Sequence, residues 1–210
     1  ILWKQNIDRI SDHCRIHLSD FSPGMLQEAI QNLRAISHDF NFTTLDAQAI
    51  PYQACYFDLV IANHMLYHIP DRQQALSEIH RVLKPTGKLI AATNGIHHMK
   101  EIRELLVQLD PRLADQTDHA FGVSEFTIEN GAEQLAPWFD DIHTIPFADS
   151  LEVSEVEPLL AYILSMATAP LKDISPHQIS AFARLMDREI TAHGSIHITK
   201  STAIFIAYKR

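Results

Sequence analysis

Glycine is scarce in this chain: 6 of 210 residues, about 3% against an average near 7%. No two glycines stand two residues apart, so no glycine-rich phosphate cradle can be read in the sequence. Cysteine is scarcer still. Cys14 and Cys55 cannot build a disulfide framework or a four-thiolate zinc site, and they suit a reducing cytoplasm. Long apolar runs are missing, none approaching the ~20 residues of a membrane span. The opening Ile1-Leu2-Trp3-Lys4 has no signal-peptide pattern. Positive charge is short as well. Lys and Arg number 17 against 26 Asp and Glu, a net charge of −9, with no basic cluster to track a phosphate backbone. Neither a membrane nor a nucleic-acid partner is expected. What is present is 46% hydrophobic and 20% charged residues, enough apolar material for a sizeable core in one domain over 1–210.

The first two-thirds alternates short apolar runs with helical patterns, which predicts a parallel sheet wrapped by helices. Strands are expected at 15–18, 40–45, 57–62 and 88–93. The third, Phe57-Asp58-Leu59-Val60-Ile61-Ala62, reads as a strand buried on both faces. Helices are expected at 22–33, where Met25, Leu26, Ala29, Ile30 and Leu33 share one face, and at 71–83. The last third predicts helices at 99–109, 153–166 and 176–193, the last with a capping box from Ser175 to Gln178. It predicts strands at 141–147 and 203–209. Two helices exceed what a simple crossover needs, so 151–193 reads as an insertion folded over one end of the sheet. It is either a substrate lid or a permanently packed helix pair. The fold expected is α/β, doubly wound and Rossmann-like, with a mixed sheet whose last strand is antiparallel.

In open α/β sheets ligands bind beyond the carboxyl ends of the strands. Asp20, Asp46, Asn63-His64 and Asn94 occupy those places. A carboxylate after one strand can accept both ribose hydroxyls of a nucleoside, and a second can accept the adenine amino group. Both acids can equally cap turns. Asp20 stands 19 residues after Ile1, close to the ~20 that separate a glycine-rich nucleotide loop from its ribose acid. A glycine-bearing stretch is therefore expected before Ile1, and the chain reads as N-terminally incomplete.

Asp20-Phe21-Ser22-Pro23-Gly24-Met25-Leu26, Leu45-Asp46-Ala47-Gln48-Ala49-Ile50-Pro51 and Phe57-Asp58-Leu59-Val60-Ile61-Ala62-Asn63-His64 follow in order. Tyr67-His68-Ile69-Pro70-Asp71 and Arg81-Val82-Leu83-Lys84-Pro85-Thr86-Gly87-Lys88-Leu89 come after them. Together these resemble successive motifs of class I S-adenosylmethionine-dependent methyltransferases, in the small-molecule branch called type 11, over roughly 1–95. The resemblance implies S-adenosylmethionine as cofactor and S-adenosylhomocysteine as product. It makes Asp20 the ribose ligand, packs Phe21 on the adenine, gives the adenine amino group to Asp46 with the Ala47 backbone nearby, and turns Asn63 to the methionine end. The family's first motif, an acid followed by G-x-G-x-G, is not in the chain.

A sulfonium methyl is already electrophilic, so the expected transfer to a small acceptor needs alignment more than a nucleophile or metal. A base is needed only where the acceptor must lose a proton. His64, His68, His97 and His98 are the candidates, each also explicable as pocket wall. His64 and His68 are four apart but lack a third ligand at a typical distance, so no metal is expected. Cys55 reads as a small buried hydrophobe. Two rivals remain: a nicotinamide-dependent oxidoreductase of similar fold, and an inactive cofactor-binding protein. Acceptor identity and oligomeric state are not legible.

Overall fold

A computed structural model of the chain describes residues 2–113, 123, 125–165 and 175–210. Strand β1 (Ile16–Asp20) pairs in parallel with β2 (Phe40–Thr44), in register from Ile16↔Phe40 to Asp20↔Thr44. Helix α1 (Leu2–Asn6) precedes them and α2 (Pro23–Leu33) joins them. Ser22 caps α2 by accepting the Met25 N–H, and Pro23 opens it. Only Leu26 and Leu33 of α2 are buried, and Met25 is 56% exposed, so the expected apolar face is narrower than its spacing suggested.

Four further strands form a second sheet in the order β3-β4-β6-β5. Strand β3 (Phe57–Asn63) runs parallel to β4 (Leu83–Asn94), while β6 (Ile196–Lys209) runs antiparallel to both β4 and β5 (Phe139–Val153). The expected mixed sheet with an antiparallel last strand is therefore present, but its ladder is interrupted between β1 and β3. Rings join the two pieces there: His17 of β1 lies 5.3 Å from Phe57 and 5.4 Å from Tyr52, both edge-on.

Two expectations are corrected at this point. Strand β3 is not buried on both faces. Ala62 faces the core and Val60 packs against it, but Leu59 and Ile61 on the opposite face are each 39% exposed. The strand behaves as a half-covered one with period two. Cys55 is exposed, not buried, because it turns the chain in the left-handed region at φ 58° with its N–H on the Arg81 carbonyl.

Helix α3 (Arg72–Val82), capped by Asp71, buries Ala75, Leu76, Ile79 and Val82 against Leu89, Ala91 and Phe205 of the sheet. Leu76, Ile79 and Val82 each contribute roughly 1.5–3 kcal/mol on full burial. A short helix, α5 (Gly131–Leu135), follows a turn at 125–130. Gly131 is a packing necessity: a Cβ there would stand 2.5 Å from the Phe205 ring.

The inserted helices are α6 (Val156–Ser165) and α7 (Pro176–His193). The insertion starts later than 151, because Leu151–Val153 still pair with β6. The expected end of the first helix at Met166 lies outside the described residues. β4 stops pairing at Asn94↔Thr202, whereas β5 and β6 continue as a two-stranded ribbon to Val153↔Ile196. With α4 (Lys100–Leu109), this overhang and the two helices form a second core through Ile102, Leu106, Ile163, Phe182, Met186 and Ile198. The capping box is as read: Ser175 and Gln178 exchange hydrogen bonds at 3.0 and 3.3 Å.

Candidate functional site

Parallel pairing brings the predicted strand-end residues to one end of the molecule. The Leu45 N–H donates to the Asp20 carbonyl at 3.2 Å, which sets the exits of β1 and β2 side by side. Asp20 is exposed, and its Oδ1 accepts the Ser22 N–H at 2.8 Å. Asp46 accepts the Gln48 N–H at 2.8 Å and the Gln48 side-chain amide at 3.0 and 3.1 Å. Those Gln48 hydrogen bonds, the backbone one foremost, hold its carboxyl below the usual range. Each acid thus makes the local turn that the plainer reading assigned to it, and each stays at the strand-end crevice. Phe21 is 76% exposed beside Asp20, a large apolar ring left in the open. Ala47 is half-buried between Asp46 and Gln48, and Asn63 is exposed at the end of β3.

The four candidate histidines separate into two kinds. His68 and His97 are exposed. His64 is half-buried directly after β3 in the left-handed region, φ 51°, with its N–H on the Ala92 carbonyl. Burial lowers its pKa from the ordinary value. His98 is buried in the turn between β4 and α4, where burial first, then His64 and Lys200, push its pKa down to about 4. The structure therefore brings His64 and His98 together and leaves the other two at the surface.

Tyr67, quoted in the motif that follows β3, lies with its ring 6.4 Å from that of His64, whereas sequence reasoning missed Tyr162. Tyr162, carried in by α6, sets its hydroxyl 3.6 Å from the Met99 thioether. Tyr67, half-buried after β3, has its pKa raised by burial and by Tyr162. Tyr162 is raised likewise by burial, with Lys200 acting against it. Met99, at φ 51°, is a second strained residue beside the first. Nothing in spacing alone signals that α6 would reach the exit of β4.

Glu129, Asn130 and Gly131, by contrast, serve the scaffold. Glu129 accepts the Ile96 N–H, Asn130 accepts the Thr127 N–H at 2.8 Å, and Gly131 packs on Phe205. A concavity of about 770 Å³ between Ile7–His13 and Ala35–Ser37 lies at the amino ends of β1 and β2, away from every candidate residue. Among the described residues no cluster of His, Cys, Asp and Glu could hold a metal ion. No described helix is long and apolar enough to cross a membrane.

Residues 5–91 match the model of a family described as a methyltransferase domain, type 11. A ubiquinone/menaquinone biosynthesis C-methyltransferase of Blochmanniella pennsylvanica is 33% identical over 90 residues, 42% of this chain and 35% of that protein. A malonyl-[acyl-carrier protein] O-methyltransferase of Enterobacter lignolyticus is 29% identical over 151 residues, 71% of this chain and 54% of the other. The chain thus spans between about a third and about half of those relatives' length. Among solved structures, the YcgJ protein of Bacillus subtilis superposes with a TM-score of 0.62 at 13% identity, covering 93% of this chain and 82% of that one. A phosphoethanolamine N-methyltransferase of Haemonchus contortus with S-adenosylmethionine gives 0.56 at 18% identity, covering 98% and 45%. With its strand-end motifs in the expected order and this fold, the chain is similar over residues 5–91 to the class I S-adenosylmethionine-dependent methyltransferases of the type 11 branch.

Proposed function

We propose that the protein transfers a methyl group from S-adenosylmethionine to a small-molecule acceptor, in the cytoplasm. One observation supports this above the rest: two carboxylates, Asp20 and Asp46, stand side by side at the exits of adjacent parallel strands, with the exposed ring of Phe21 next to them. A nucleoside laid across these exits would give its ribose hydroxyls to Asp20, its base to Phe21 and its exocyclic amine to Asp46, close to the Ala47 backbone. Ser22 fixes the Asp20 carboxylate and Gln48 fixes Asp46, so both acceptors are oriented before a ligand arrives. Asn63 would meet the amino-acid end of the cofactor.

The bound sulfonium supplies an electrophilic methyl, and the protein's part is to hold the acceptor in line with it. We assign that task to His64, Tyr67, His98 and Tyr162. The inserted segment, whose α6 brings Tyr162, would close over the acceptor and exclude water. The net charge of −9 supports a small acceptor over a nucleic acid. Nicotinamide chemistry loses its ground to the family match over 5–91. A catalytically silent cofactor binder is separated by experiment. Titrating S-adenosylhomocysteine into the full-length protein by calorimetry should give saturable heat that Asp20→Ala weakens, and methyl release from labelled cofactor should accompany it. Heat without turnover against any acceptor would favour the binder, and no heat at all would reject both.

A further inference from the structure

The loop between β2 and β3 carries Asp46, and α3 with its cap holds that loop at two places. At the near one, the Asp71 N–H donates to Gln48 Oε1 at 3.0 Å and the Gln74 side-chain amide donates to the Gln48 carbonyl at 3.2 Å. At the far one, Glu78 accepts the Ile50 N–H at 2.9 Å, while Arg81 donates to the Ile50 and Tyr52 carbonyls at 2.9 and 2.8 Å. Arg81 also meets the Glu78 carboxylate through two N–H groups, at 2.6 and 2.8 Å. The far clamp is therefore a charge-assisted pair of fixed geometry. It grips backbone and does not touch Asp46.

The near clamp decides which way the Gln48 amide points. A backbone N–H can only donate, so Asp71 claims the amide oxygen and turns the NH2 group towards Asp46. There Nε2 reaches both carboxylate oxygens, at 3.0 and 3.1 Å, and the Gln48 N–H donates to Oδ1 at 2.8 Å. Three contacts from one residue fix the plane of the carboxylate, and all three donors are neutral. The same bonds hold the Asp46 carboxyl below its usual range. The group thus stays an ionised, acceptor-only carboxylate, with acceptor capacity left at Oδ2, where the longer of the two amide contacts falls. Such an acceptor attracts an N–H and repels a carbonyl oxygen brought to the same spot.

We propose that Gln48 is a positioning residue: pinned by the Asp71 N–H, it sets the Asp46 carboxylate so that the protein selects a base with an exocyclic amine, adenine, over one with a carbonyl in its place, hypoxanthine. This rests on the reading of Asp46 as the adenine acceptor, and the test separates the two. Calorimetry on the full-length protein compares S-adenosylhomocysteine with S-inosylhomocysteine, its hypoxanthine counterpart. The wild type should favour the adenine compound by about tenfold or more, as loss of a charge-assisted hydrogen bond implies. Asp46→Asn, whose amide can donate to the carbonyl oxygen, should erase that preference. Gln48→Met, similar in length but without the amide, should narrow it about threefold, mainly by weakening the adenine compound. Arg81→Met, which opens the far clamp, should lower Tm and weaken both ligands alike with the ratio kept, as a purely structural role does. A ratio kept in Gln48→Met but erased in Asp46→Asn would overturn the proposal and leave the adenine reading standing. An equal narrowing in Arg81→Met would overturn it too, because the ratio would then follow loop order alone. No preference in the wild type, or no binding of either compound, would remove the adenine reading and the proposal with it. Should Gln48→Met fail to fold, side-chain amide proton exchange in the ligand-free wild type decides. Gln48 should exchange more slowly than Gln53, exposed in the same loop, and equal rates would overturn the proposal.

Discussion

The hydroxyl of Tyr162 lies 3.6 Å from the thioether of Met99, and that contact ties the inserted helices to the exit of β4. It also sharpens the question of whether the insertion moves. The second core joins α4, α6, α7 and the β6 overhang through Ile102, Ile163, Phe182 and Ile198, all at most 3% exposed. A segment so packed cannot swing freely without opening that core, so closure would be a tilt of α6 against Met99 and Tyr67. Hydrogen exchange in α6 should slow on adding S-adenosylhomocysteine plus acceptor, by a larger factor than in α3. Equal protection of α6 and α3 with and without ligands would make the insertion static scaffold.

Asp20 and Asp46 should differ in what their loss does. Asp20→Ala removes the acceptor for two ribose hydroxyls, with charge-assisted bonds of about 1.5–3 kcal/mol each, so cofactor affinity should fall at least tenfold. Stability should move little, because the residue is exposed and its side chain accepts from the neighbouring Ser22 N–H, while its backbone bond to Leu45 survives the substitution. Asp46→Ala also frees Gln48, whose amide otherwise bridges to the Asp71 N–H through Oε1 at 3.0 Å, so it should lower both affinity and melting temperature. Calorimetry and thermal unfolding on both variants check this. Wild-type affinity in Asp20→Ala would remove the ribose assignment.

How much of this was legible depended on how local the signal was. The capping box at Ser175 and Gln178, the cap at Ser22 and the parallel strand–helix units were readable because neighbouring residues set them. The first half of β6 was not. Its residues His197, Thr199 and Lys200 are polar because they pair only with the edge strand β5 in the overhang, where one partner strand and open solvent replace a covered sheet. Nor was the split between β1 and β3, since the apolar run 57–62 looks alike whether one face or two are covered. The site divided the same way. Strand-end acids follow from topology, whereas the pairing of His98 with Ser201 and of Tyr162 with Met99 arises from contacts across 103 and 63 residues of chain.

Gly131 should prove structural. A Cβ there would meet two atoms of the Phe205 ring at 2.5 and 2.6 Å and Phe126 at 3.2 Å, and both rings are fully buried. Overpacking of this kind costs typically 1–3 kcal/mol, which for a chain of this size lowers Tm by roughly 2–12 °C. Gly131→Ala should therefore melt early and bind S-adenosylhomocysteine normally below its transition. A loss of affinity at unchanged Tm would instead put the 129–131 turn at the ligand site.

The acid limb of stability should carry the mark of His98. Its folded pKa is about 4 against an ordinary 6.5, so between those values the unfolded chain binds the proton and the folded one resists it. Stability from this source is complete above pH 6.5 and is lost as the pH falls towards 4. His64 and His80, whose pKa values burial also lowers, add in the same sense. The lowered carboxylates, among them Asp110 at about 2 through its Arg112 partner, begin to contribute only as the pH falls below about 5, so the window from 6.5 to about 5 belongs to histidine. Urea midpoints measured at pH 7 and pH 5 should drop more for the wild type than for His98→Gln, which has no proton to gain. Equal drops would mean that His98 ionises as readily in the folded protein as in the unfolded chain.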